Sequence, residues 1–167
     1  MLGLTTLGVF HTAISLVALV SGFWALIRYK EILQETRLGL VYLVTTFITA
    51  ATGFGIFQHG GFGPAHVLGV LTILALLVGT IAGNFRVFGS ASPYVRSISY
   101  SATLFFHMIP AVTETSTRLP LGAPLLSSPD APALRVATVL FLVTFLVGAT
   151  LQVRRMRAAA AKTNPTS

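Results

Sequence analysis

The sequence predicts an all-α, polytopic integral membrane protein: a single bundle of five transmembrane helices, N-terminus outside and C-terminus in the cytoplasm. Three observations predict it. The 167 residues are 54% hydrophobic and only 9% charged, with a mean hydropathy of +0.83, far too apolar for an average water-soluble domain. The apolar residues gather into five runs of about 20 residues, the helical length that crosses a hydrocarbon core of about 30 Å. The basic residues lie between the runs and alternate in density from one connection to the next.

The runs cover roughly 4–27, 38–58, 65–85, 97–117 and 133–153. The first is expected to stay in the protein, because a cleaved signal segment is preceded by basic residues, whereas here Arg28 and Lys30 follow. Between the second and third runs stands "HGGFGPAH", residues 59–66, whose glycines suit a tight connection and whose Pro64 suits the first turn of a helix. The fourth run carries His107, Pro110 and Glu114, yet removing it would put every later connection on the wrong side. The Pro-rich loop 118–132, "RLPLGAPLLSSPDAP" from its first arginine, is a candidate lid. The last run ends at "RRMR". Residues 1–155 are therefore read as one bundle domain and 156–167 as a basic, frayed cytoplasmic tail.

Charge sets the orientation. Arg28, Lys30, Arg37, Arg86, Arg96, Arg154, Arg155, Arg157 and Lys162 fall on one side, and only Arg118 and Arg135 on the other. The positive-inside rule puts the first group in the cytoplasm and suggests a bacterial inner membrane, with the opposite face periplasmic. The net charge of +7 and pI near 10.9 do not imply nucleic acid, since these charges are topology signals dispersed among connections rather than one solvent-facing patch. The expected partners are the lipid bilayer and, beyond it, a quinone, another membrane subunit or a second copy. The absence of cysteine excludes disulfides, thiolate metal sites, iron–sulfur clusters and covalently attached haem.

This topology puts His11, His59, His66 and His107 in the outer half of the membrane, His11 and His107 at similar depth, with Glu114 two turns beyond His107 on the same helical face. Three spans carry such residues on a polar or small-residue stripe: Tyr100, Thr103, His107, Ala111, Glu114 and Arg118 in the fourth, Thr45, Thr49, Thr52, Ile56 and His59 in the second, His11, Ser15, Ala18 and Gly22 in the first. Polar groups avoid lipid and small residues let helices approach, so these stripes are expected to face one another.

Ionisable residues inside a membrane point to function. Two imidazoles on different spans are suited to the axial positions of haem b, which makes His11 and His107 the candidate haem ligands. Alternatively His59, His66, His107 and Glu114, with His11 as a further ligand, could hold iron, copper or zinc. The expected function is membrane-embedded redox chemistry: electron transfer, or oxidoreduction of a quinone or small substrate. The alternatives are a metal-dependent membrane hydrolase with Glu114 as its catalytic carboxylate, and a non-enzymatic subunit that conducts protons or binds a partner. No HExxH motif, phosphate loop or convincing serine triad is present. The histidine pattern resembles in a general way the helical bundles of b-type cytochromes, without their ligand pairs in both leaflets.

Overall fold

The computed structural model describes residues 5–56 and 61–163. It contains five α-helices: α1 (Thr6–Tyr29), α2 (Arg37–Gly53), α3 (Pro64–Phe85), α4 (Ser92–Arg118) and α5 (Pro132–Thr163), with a short 3-10 turn at Gly89–Ala91 and no strand among the described residues. Three of them, α1, α3 and α5, are long and apolar enough to cross a membrane, which is consistent with an integral membrane protein. The other two depart from that pattern for different reasons. α2 is apolar but has only 17 residues, whereas α4 has 27 and is polar because its Ser97, Tyr100, Thr103 and His107 are turned into the protein.

Local chemistry sets the helix ends. Thr5 caps α1 by accepting from the Gly8 N–H at 3.1 Å, and Lys30, in the left-handed region at φ 66°, closes it by donating its N–H to the Leu26 carbonyl. Thr36 caps α2 in the same way through the Gly39 N–H at 3.0 Å. α2 ends at Gly53, short of the boundary expected near residue 58. α5 continues to Thr163, so much of the tail expected to fray is helical; its "RAAAAK" stretch is made of strong helix formers.

The bundle is built on two glycine notches. A Cβ at Gly22 of α1 would lie 2.7 Å from the Tyr42 ring of α2, and one at Gly79 of α3 would lie 2.5 Å from the Tyr100 ring of α4. Each tyrosine is fully buried because the facing helix has no side chain there. Around them Ala18, Ala25, Ile32, Leu76 and Leu104 complete the core. α1 packs mainly on α2 and α3 mainly on α4, with α5 packed on α4; α1 and α4 touch only sparsely. The outside is the reverse of a soluble protein's: Val20, Ile27, Leu74, Leu140 and Leu146 are exposed while Thr46, Thr49, Thr72, Ser101 and Thr103 are buried. Such an arrangement is favourable when the surroundings are lipid and costly in water.

Connections 30–36 and 86–91 and the end of α5 gather at one pole, here the C-terminal end. There the 30–36 connection folds over the bundle. Ile32 is fully buried, Gln34 donates to Asn84 and accepts from the Tyr100 hydroxyl, both at 2.8 Å, and Glu35 pairs with Arg96 at 2.8 Å.

Candidate functional site

His107 is buried, with 7% of its surface exposed. Its Nδ1 lies 3.1 Å from the Thr103 carbonyl, one turn back on α4. A carbonyl oxygen only accepts, so Nδ1 carries the proton, and in the neutral ring Nε2 holds a lone pair. That Nε2 is buried and has no hydrogen-bond partner. The nearby Tyr42, whose ring centroid is 6.5 Å away, does not supply one: its hydroxyl lies 2.6 Å from Thr103 Oγ1, which itself donates to the Tyr100 carbonyl at 2.7 Å and so accepts from Tyr42. A ring nitrogen held by a backbone carbonyl while the other is left basic is the arrangement that orients a metal-ligating imidazole.

His11 takes the same tautomer by a different route. Its Nδ1 is 3.0 Å from Thr52 Oγ1, whose single proton is directed at the Ile48 or Thr49 carbonyl, at 2.8 and 3.1 Å. Thr52 therefore accepts, His11 Nδ1 donates, and Nε2 is again the basic nitrogen. The ring lies against Gly53, where an added Cβ would be in ordinary contact with His11 Cε1 at 3.5 Å.

The two histidines do not share one depth, contrary to the expectation from span ends. Gly22 of α1 faces Leu104 of α4, where a Cβ would meet Leu104 Cδ1 at 3.1 Å, and this crossing gives a common reference. From it, His11 is about 16 Å toward the N-terminal end, Glu114 about 15 Å, and His107 only about 5 Å, at 1.5 Å per residue. By this reckoning His11 is about level with Glu114, while His107 lies about two turns deeper. Span boundaries could not show this because side-chain packing, not distance from an end, sets the register of antiparallel helices.

Glu114 forms an ion pair with Arg118 on the next turn and its side chain is about half exposed. His66 has a structural task. Its Nδ1 accepts the Gly63 N–H at 3.1 Å at the start of α3, and its ring stacks on Phe62 at 5.1 Å and lies near Phe54 at 6.3 Å. Because Nδ1 accepts there, the neutral ring carries its proton on Nε2, the wrong tautomer for a metal bond through that atom. His59 lies outside the described residues. Among the described residues no group of three or more His, Asp or Glu side chains is placed to hold a metal ion.

Sequence reasoning missed two participants. Tyr42 continues the Thr45, Thr49, Thr52 series one turn toward the start of α2, and the face that is buried is Gly39, Tyr42, Thr46, Thr49 and Ala50. The cluster of Gln34, Thr80, Tyr100, Glu35 and Arg96 at the C-terminal end also escaped it, although a polar connection opposite an arginine-bearing span is a readable signal. Fold and site together define an all-helical bundle, apolar outside, with basic imidazole nitrogens in a hydroxyl-rich interior. Compared with protein-family models, curated proteins and solved structures, the chain matches none of them.

Proposed function

We propose that this protein is a membrane-embedded redox protein in which His107 ligates haem b, serving electron transfer or the oxidoreduction of a quinone or small substrate. The observation that carries the reading is the buried, unpartnered Nε2 of His107, held basic by the hydrogen bond from Nδ1 to the Thr103 carbonyl. An acceptor left unsatisfied in a medium without water costs about 1–3 kcal/mol, and bonding to iron removes that cost. Haem is favoured over a bare ion because the macrocycle already supplies four ligands to its iron and needs only one or two from protein, whereas an ion site needs about three. His11 is the second candidate ligand, approaching from the N-terminal side, and the sparse contact between α1 and α4 is where a flat group would enter. When bound, the haem iron exchanges single electrons; this chain's part is to hold it, keep water out and set the tautomer of its ligand.

The decisive experiment is an absorption spectrum with metal analysis of the protein purified from cells supplied with haem. A Soret band that shifts on reduction is the expected result. Stoichiometric iron, copper or zinc without that band would replace haem by a metal site involving His59, and neither would sink the redox reading in favour of proton, quinone or partner binding.

In this reading all five helices cross a bacterial inner membrane, with the N-terminus and the histidine-bearing end facing the periplasm and the C-terminus in the cytoplasm. The nine-to-two division of basic residues supports it. Reporter fusions after Leu33, Phe62, Ser90, Leu125 and Pro165 are expected to report inside, outside, inside, outside and inside. A periplasmic signal at Pro165 would refute the topology.

A further inference from the structure

We propose that the C-terminal end of the bundle holds a binding site for a phosphoethanolamine headgroup, at the place where α5 passes the end of α1. The proposal uses the reading of α1 and α5 as membrane-crossing helices and is independent of any cofactor. A cavity of about 100 Å³ lies there, lined by Lys30, Glu31, Gln152, Arg155 and Met156 among others. Glu31 Oε2 is shielded from solvent and has no hydrogen-bond partner. The polar groups around it are engaged elsewhere: Lys30 Nζ donates to the Ile27 carbonyl at 2.9 Å, Arg155 to the Tyr29 carbonyl at 2.9 Å, and Gln152 Nε2 to the Lys30 carbonyl at 3.0 Å. These bonds satisfy the last carbonyls of α1 and leave one carboxylate oxygen without a donor.

The missing partner must therefore donate, and a cationic donor fits a carboxylate best. Yet Lys30 and Arg155 stand on the same cavity, each with further N–H groups available for an anion. One unsatisfied anion beside two cations matches a zwitterion that carries an ammonium and a phosphate a few bonds apart. A choline headgroup has the phosphate but no N–H to give Glu31. A phosphate headgroup with no ammonium would leave Glu31 without a cationic donor. The position agrees: the apolar stretch of α1 ends at Tyr29 among Arg28, Lys30 and Arg155, where lipid headgroups meet a membrane helix.

The test compares the full-length protein in phosphatidylglycerol nanodiscs doped with either phosphatidylethanolamine or phosphatidylcholine of the same chains, read by lipid retention in native mass spectrometry and by melting temperature. Retention of the ethanolamine lipid over the choline lipid by about tenfold is expected, the equivalent of one charge-assisted hydrogen bond. Glu31→Gln is expected to bring that ratio near one. Competition by free O-phosphoethanolamine would support the site and assign recognition to the headgroup alone; retention without such competition would support it and assign the membrane lipid as the ligand. Equal retention of the two lipids by the unaltered protein overturns the proposal, and that comparison holds even where Glu31→Gln fails to fold.

Discussion

Replacing Gly39 by alanine is expected to lower the stability of the detergent-solubilised protein by about 3 kcal/mol, or about 10 °C in melting temperature for a chain of this size. A Cβ at this position would fall 1.9 Å from the Leu33 carbonyl oxygen and 2.6 Å from its carbon. Those are backbone atoms, so no side-chain rotation relieves the overlap; the 30–36 connection itself must move. Moving it also disturbs the Thr36 cap, which holds the Gly39 N–H, and draws Gln34 from Tyr100 and Glu35 from Arg96. Gly148→Ala is the control: it lies on α5 with nothing within 4 Å of its added Cβ, and its melting temperature is expected to stay near that of the parent. A Gly39→Ala protein that melts with the parent would show that this connection does not close the bundle.

The second large effect is expected at His107 and separates a ligand from a packing residue. His107→Leu keeps an apolar side chain in the same enclosed place while removing the basic Nε2 and the ring that carries it. Exchanging an unsatisfied polar group for an apolar one is nearly neutral or stabilising, so the cofactor-free protein should melt at or above the parent temperature. The Soret band, in contrast, should disappear. His66→Ala should behave in the opposite way, losing about 1 kcal/mol with its cap on α3 while retaining the band. A His107→Leu protein with an undiminished band would remove His107 from the ligand set. One that loses the band only because it no longer folds would be recognised by its melting curve.

Much of the fold was legible in the chain itself. Helix content, the apolar character of α1, α3 and α5 and the polar stripe of α4 follow from residue type and spacing, because a helix repeats every 3.6 residues whatever it packs against. The stripe of His11, Ser15, Ala18 and Gly22 does face the interior, where Ala18 and Gly22 are buried. Of the candidate site, the sequence could identify the residues but not their tasks. His66 and His107 are the same residue type in equally apolar surroundings, yet one accepts through Nδ1 and the other donates through it. That difference rests on which backbone group stands beside each ring.

By itself, then, the sequence determined what is local and periodic: a helical chain too apolar for water, the places of its five helices though not the end of α2, the start of α4 or the end of α5, and the set of ionisable groups available inside it. Tertiary structure decided what depends on one helix's position against another. Tyr42 in the Gly22 notch and Tyr100 in the Gly79 notch set the register of their helix pairs. The crossing of Gly22 with Leu104 puts His11 about level with Glu114 and leaves His107 about two turns deeper. The reason is physical: hydrophobicity drives helices together without specifying their sliding position, and only the fit of particular side chains into particular gaps removes that freedom.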